Sequence, residues 1–290
     1  MIKFENTEVV GWEAAIRGMR NPMNSWEKSD SRYSCLCMDD KRDCPVEPYI
    51  VGPKDYNLMM KLRNAGTDHR KFMRMIVVYL DITAPLYWWK EFKTYRAGRR
   101  FGDDEPDIID AGYLECDIET NSCSTMHKIH EKEFTLEDFS CEHLISEPYD
   151  IDNEDPIDGE FEDTGLVLVA NSENGWLGHC YHTANGDECV EYLAPKTLLD
   201  RYIISALNAS REAYLKTKDK KYWWQMIQLL PSSYNQKRTV MLSYEVLANI
   251  YKSRKNHKLD EWVEFCKWIE SLPYSDLITG VSLEEEDQKQ

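Results

Sequence analysis

Several absences in this 290-residue chain narrow the field before any motif is considered. No run of about 18 or more apolar residues occurs, so no membrane-spanning helix is expected. The opening "MIKFENTEVVGWEAAIRG" lacks a basic stretch leading into an apolar core, so no secretory leader is expected. No Gly-x-Gly-x-x-Gly, Walker or Gly-x-Ser-x-Gly sequence is present, which removes the usual dinucleotide, P-loop and hydrolase readings. No Cys-x-x-Cys pair exists among the nine cysteines. Their odd number and scatter suit reduced thiols in a cytoplasm better than a disulfide framework.

Basic residues are missing from two places in particular. Residues 102–119 carry eight acids and residues 142–163 carry ten, with no Lys or Arg in either. These segments account for the net charge of −17 and leave a nearly neutral body. They read as solvated loops. A chain of this balance has no basic footprint, so direct nucleic-acid binding is not expected.

The remaining pattern is α+β. Residues 54–66 read as a helix stopped by Gly66, and residues 73–82 as a strand. Pro85 opens a helix over Leu86–Tyr95 that carries Trp88, Trp89 and Phe92. Thr135 begins a short helix, with "TLED" as a capping box. Residues 144–195 read as a β-rich excursion, with strands in "GLVLVAN" and "ECVEYLA" and hairpin signals at Asn174-Gly175 and Asn185-Gly186. Helices are expected over 196–217, 221–229, 234–255 and 259–272, followed by a frayed tail. Helix, strand, helix, irregular middle and several helices do not make a regular βαβ alternation. The whole is expected to be one domain with insertions at about 99–120 and 144–195.

Three basic stretches suit a phosphate: 61–74, 90–100 and 252–258. Arg254 stands out, because a guanidinium grips a phosphate or a pyrimidine edge with two parallel bonds. Cations near helix C-termini also arise for dipole reasons alone. Cys35, Cys37 and Cys44, and His179, Cys180, His182 and Cys189, offer zinc-type side chains at poor spacing. His127 and His130 could share a helix face.

Taken together, "NAGTDH" ending at His69, "ITAPLYWWKEFKTYR" ending at Arg96, and "LLPSSYNQKRTVMLSYEVLANIYKSR" resemble the flavin-dependent thymidylate synthases. That family has a helix ending in Ala-Gly-His, then a strand, then Ala-Pro and an aromatic helix entering the signature RHRxxSxNxxSxRY. His69 and Arg96 lie 27 residues apart, the family interval. Leu230-Pro231, Asn249 and Arg254 fall at matching offsets, and the closing "HKLDEWVEFCKWIESLPYSDLI" is similar to the family's last helix.

The resemblance implies a homotetramer with active sites built from several subunits. It implies FAD, reduced by NADPH, with methylene-tetrahydrofolate supplying the carbon transferred to dUMP. It assigns His69, Tyr95, Arg96, Asn121 and Asn249 to the cofactor, Glu91, Ser124 and Arg254 to the pyrimidine nucleotide, and Ser124 and Arg254 to catalysis. The signature is split by about 20 residues between Arg96 and Asn121. Thr94-Tyr95-Arg96 stands for Arg-His-Arg, Glu119 for the first serine, and Met126 for the last arginine. Ser243 and Glu245 stand for a flavin-contacting Asn and Arg, Ile227 for an arginine that meets the pyrimidine, and Glu91 for a glutamine. These changes make the inherited site less positive. They open a second reading, a catalytically inactive nucleotide-binding or protein-interaction member of the same fold.

Overall fold

The computed structural model describes residues 2–33, 49–92, 94–95, 118–124, 126–146, 161–170, 177–183 and 188–280, with the backbone alone for residue 119 and for 161–193. The chain divides into two compact units, residues 2–123 with 236–290, and residues 124–235.

The larger unit is built on a four-stranded sheet. Its strands are β1 (Lys3–Val10), β2 (Val77–Pro85), β3 (Ile118–Ser122) and β7 (Asn235–Ser243), in the spatial order β1-β2-β7-β3. β1 is antiparallel to β2, and β3 to β7. Helices α1 (Trp12–Arg20), α2 (Pro53–Asn64) and α3 (Leu86–Phe92) come from its first part. Helices α6 (Tyr244–Arg254), α7 (Asp260–Glu270) and α8 (Asp276–Thr279) come from its last.

β7 corrects the sequence reading, which runs one helix over 234–255. Gln236, Arg238, Val240 and Leu242 are buried, while Lys237 and Thr239 between them are exposed. That is the period of two of a strand with one face on the core. The exposed face makes a polar ladder: Thr239 Oγ1 donates to Asp81 Oδ1 at 2.6 Å, and Lys237 reaches Glu5 and Asp81 at 2.9 and 3.4 Å. The helix begins only at Tyr244, where the Ser243 hydroxyl accepts from the Val246 N–H as an N-cap.

Two smaller boundaries also move. Residues 70–74 form a 3₁₀ turn, so the strand read over 73–82 starts at Val77, past the unbranched Met73 and Met75. The aromatic helix stops at Phe92. There the Thr94 N–H and hydroxyl both turn back to the Glu91 carbonyl, at 2.9 and 2.6 Å, and unwind the last turn. Gly66 does end α2, with φ at +109°. β1 and α1 have no counterpart in the sequence reading. Gly11 joins them at φ +95°, where a Cβ would lie 2.0 Å from the Met75 carbonyl oxygen.

The core of this unit is aromatic. Trp88, Trp89, Phe92, Trp262 and Phe265 are almost wholly buried, and Trp88 packs on Phe92, Trp262 and Phe265 at centroid distances of 4.7, 4.8 and 5.7 Å. Burying each indole contributes roughly 4–6 kcal/mol before conformational entropy is subtracted.

The second unit has its own core of Ile129, Phe134, Phe139, Leu199, Ile204, Leu207 and Met226. Its helical part runs from Pro195 through a wide π turn (Leu198–Ile204) into α4 (Ser205–Thr217), then α5 (Lys220–Leu229). The Asn208 amide clasps the Phe134 backbone N–H and carbonyl, each at 2.9 Å. The "TLED" box forms, with the Thr135 N–H donating to Asp138 at 2.9 Å. The β-rich excursion is a three-stranded antiparallel sheet of β4 (Phe161–Ala170), β5 (Leu177–Thr183) and β6 (Glu188–Leu193). Its middle strand, which carries the His179–His182 cluster, was not read as a strand from sequence. The Asn-Gly turns, Cys35, Cys37, Cys44 and the frayed tail lie outside the described residues.

One buried ion pair ties the amino-terminal segment to α2. Asp55, fully buried, accepts from Arg20 Nε, Ser29 Oγ and Ser31 Oγ, each at 2.6 Å, and from two backbone N–H groups at 3.1 Å. Burial alone raises its pKa, but the bonds from Ser29, Ser31 and Arg20, with the charge of Arg20, outweigh it and leave the carboxyl below its ordinary value. A depressed folded pKa gives stability that is complete above the unfolded carboxylate range and is lost as pH falls through the folded value. Asp55→Ala is therefore expected to cost about 3–5 kcal/mol at neutral pH, because it strands the buried Arg20. Thermal melts of both proteins down a pH series check this. The gap between them should narrow in acid, and a gap independent of pH would refute the assignment.

Candidate functional site

Most of the described carried-over residues of the larger unit fall in two clusters along α6. The first is at its carboxyl end. Arg254 Nη2 lies 3.1 Å from Glu91 Oε2, and its Nε donates to the Tyr95 hydroxyl. The guanidinium stands 4.9 Å from the Trp262 ring centroid and 5.3 Å from that of Tyr95. Trp262 Nε1 donates to the same Glu91 oxygen at 3.1 Å. Sequence explains part of the assembly: Glu91 lies in the last turn of α3, Tyr95 follows just past the Thr94 turn, and Trp262 lies on the buried face of α7. Burial raises the Tyr95 pKa, against the bond and charge of Arg254. Arg254 keeps a side-chain exposure of 20% and Glu91 of 42%, so the pair is open to solvent on one side. It can therefore exchange an internal partner for an external anion.

The second cluster is about one and a half to two and a half turns earlier. Glu245, its side chain 3% exposed, is bound by Arg70 at 3.4 Å and by Arg74. Arg70 Nη2 also donates to Asn249 Oδ1 at 3.2 Å. Sequence reasoning counted Glu245 as a loss of positive charge. The structure brings two guanidiniums from the 61–74 stretch onto that one carboxylate, so Glu245 is a paired charge and not a lone negative one. Arg70 and Arg74 are the residues that motif matching missed; the basic stretch containing them was the available signal. His69, just before them, is exposed, and its N–H donates to the Gly66 carbonyl at 3.1 Å.

Asn121 lies on β3 with an exposed side chain, paired in register with Thr239. Arg96 lies outside the described residues. Ser124 belongs to the second unit. Its Oγ accepts from the N–H groups of His127 and Met126 at 2.8 and 3.3 Å and lies 3.3 Å from His127 Nδ1, so it organises a turn. Met126 is exposed, and its carbonyl accepts from Trp223 Nε1 at 2.8 Å. His127 and His130 lie in turns and share no helix face. His130 instead packs against Tyr214, with its Nδ1 buried and unpaired. No cluster of three or more metal-ligating side chains occurs among the described residues. None of their helices is long and apolar enough to cross a membrane.

The second cluster yields an outcome opposite to what motif restoration implies. Glu245→Arg reinstates the arginine that the resemblance places there, but it buries a third guanidinium against Arg70 and Arg74. The variant should lose about 3–5 kcal/mol of stability, the usual cost of an uncompensated buried charge. Urea denaturation measures it, with Glu245→Gln as the milder control. A variant as stable as the parent would show that the pairing contributes nothing.

No family model matches the sequence, and no curated protein matches it significantly. Solved structures do match. The flavin-dependent thymidylate synthase ThyX of Helicobacter pylori, complexed with FAD and dUMP, aligns over 96% of this chain and 98% of its own, with a TM-score of 0.51 and 14% identity. A second structure of that enzyme with FAD and dUMP aligns over the same shares at a TM-score of 0.52 and 14% identity. A UMP/dUMP methylase, PolB of Streptomyces cacaoi, bound with 5-Br dUMP, covers 97% of this chain and 95% of its own at a TM-score of 0.45 and 11% identity, too distant to add weight. At such identities the likeness speaks for architecture: this chain has the α+β fold of the flavin-dependent thymidylate synthases, in diverged form.

Proposed function

We propose that this protein binds a pyrimidine deoxynucleotide and FAD along α6 and methylates the nucleotide, dUMP to dTMP or a close relative, with NADPH and methylene-tetrahydrofolate as cosubstrates. The observation that carries the reading is the seating of Arg254, a half-open guanidinium between two aromatic rings with an exchangeable carboxylate partner. A nucleotide phosphate or pyrimidine edge can accept two parallel N–H groups of Arg254, whose Nη2 is now taken by Glu91 and whose Nε by the Tyr95 hydroxyl. The fold supports this reading, since the Helicobacter enzyme of the same architecture was solved with FAD and dUMP.

The described residues fit an anionic cofactor at the second cluster. Arg70 bridges Glu245 and the Asn249 oxygen, and the Asn249 side-chain NH₂ donates to no group among the described residues. Arg70, Arg74, His69 and Asn249 would hold the flavin, with Tyr95, Arg96 and Asn121 beside it. Bound flavin would supply hydride transfer. The chain's own residues bind and orient, with Arg254 as anchor and Ser124 at the nucleotide. In this reading the protein is a homotetramer working in the cytoplasm, with sites completed across subunits, and the two acidic insertions leave the core reaction intact.

Glu91 favours the second reading, a nucleotide-binding or interaction protein without catalysis. Where the family has a neutral glutamine, its carboxylate occupies the anchor and must be displaced. The purified protein separates the two. The catalytic reading expects a flavin spectrum on adding FAD, and dUMP-dependent oxidation of the reduced flavin. Arg254→Ala should weaken dUMP binding by about 10- to 100-fold, the worth of charge-assisted hydrogen bonds. Protein that binds dUMP but never FAD would leave only the second reading, and protein that binds neither would remove both.

A further inference from the structure

Arg238, on the inner face of β7, is 9% exposed and has no carboxylate partner among the described residues. Its Nε donates to Gln236 Oε1 at 2.9 Å, and its guanidinium lies 4.3 Å from the Trp89 ring centroid. The described residues offer it nothing else. These supports are themselves fixed: Gln236 Nε2 donates to the Cys123 carbonyl at 2.8 Å, and Trp89 Nε1 donates to the Gln236 carbonyl at 3.0 Å. The plane and one edge of the guanidinium are thus held by a closed set of contacts within one unit. Its two Nη nitrogens, the forked end, have no hydrogen-bond partner among the described residues, and neither is among the buried unpaired nitrogens of those residues. Ser122, the register partner of Arg238 on β3, is exposed, and so is the following Cys123.

The contrast with Arg20 shows what is unusual. Arg20, 5% exposed, is matched by Asp55 and two backbone carbonyls. Arg238 has only a neutral amide and a ring face. Cation–π attraction is weaker than the cost of moving a full charge out of water. Burial accordingly pushes the Arg238 pKa down, with the neighbouring Cys123 thiol opposing. Among the described residues the one other buried guanidinium, Arg20, is matched by a carboxylate, whereas Arg238 is pre-oriented with its fork open, half of an ion pair.

We propose that Arg238, backed by Trp89 and held by Gln236, is a subsite for an oxyanion, the phosphate or carboxylate group of a ligand, received on its two Nη nitrogens. The subsite stands whether or not Arg254 binds a nucleotide, and no residue assigned from the family resemblance contributes to it.

Calorimetric titration of the full-length protein with inorganic phosphate, and separately with succinate, at constant ionic strength in chloride, tests it. Saturable binding of at least one anion is expected, and the better one identifies the group. Arg238→Gln should weaken that binding at least about tenfold, and Arg238→Lys, which keeps the charge without the fork, should weaken it less. Should Arg238→Gln not fold, the parent protein still decides: saturating anion should slow alkylation of the exposed Cys123 by neutral iodoacetamide, read by peptide mass spectrometry. Absence of saturable binding, full binding by a folded Arg238→Gln variant, or unaltered Cys123 alkylation under saturating anion would each overturn the subsite. Binding lost in Arg254→Ala but kept in Arg238→Gln would also overturn it, while supporting the nucleotide reading.

Discussion

Two guanidiniums that matter to this protein rest on one aromatic cluster. Arg254 lies over Trp262 and Arg238 over Trp89, and both rings belong to the packed set around Trp88. Such a cluster contributes in two ways. Its burial drives α3 and α7 onto the core of the larger unit. Its ring faces, negative at the centre, then provide platforms that tolerate a cation where water is scarce. The polar groups are set by the same rings. The Trp262 indole fixes Glu91, and the Trp89 indole fixes the Gln236 backbone. Removing a ring would therefore disturb a charge as well as open a cavity. Core and site cannot be separated in this part of the molecule.

The density of aromatic and charged residues in "TAPLYWWKEFKTYR" follows from that arrangement. Trp88, Trp89 and Phe92 face inward, and Glu91 in the last turn and Tyr95 just past it sit on the rim, where they meet Arg254. The stretch is neither only core nor only site. A helix of 7 residues, Leu86–Phe92, serves both because its last turn is unwound by Thr94. Unwinding places Tyr95 beside Arg254 without lengthening the buried face.

Much of this architecture was legible in the residues. The helix ending at Gly66, the aromatic helix, the Thr135 box and the helix read over 259–272 all carry strong local signals, and the ordered spacing of loose motifs pointed to the fold. The clearest failure is β7. Its inner face reads Gln236, Arg238, Val240, Leu242, so half of the positions that mark a strand are polar and the alternation is masked. Local rules fail where a residue is kept for something other than packing. The misread strand and the unmatched Arg238 are then one observation seen twice. β1 was missed for a different reason: as an edge strand with mostly exposed residues, interrupted where Asn6 turns left-handed at φ 53°, it offers little periodicity.

Position 245 shows how far residue-by-residue inheritance can be trusted. Replacing an arginine by a glutamate reverses a charge at one site, and a list of matched positions records only the loss. In three dimensions the carboxylate draws in Arg70 and Arg74, whose charges offset its own. What changes is the geometry: the cations now reach the site from the 3₁₀ turn after α2, and Asn249 is held by one of them. Electrostatic attraction for an anion depends on the sum of nearby charges, whereas recognition of a particular anion depends on which donors point where. Such a swap therefore preserves the first and redirects the second. Within the proposed function, the divergence of this chain from its fold relatives bears more on the shape of the ligand than on its charge.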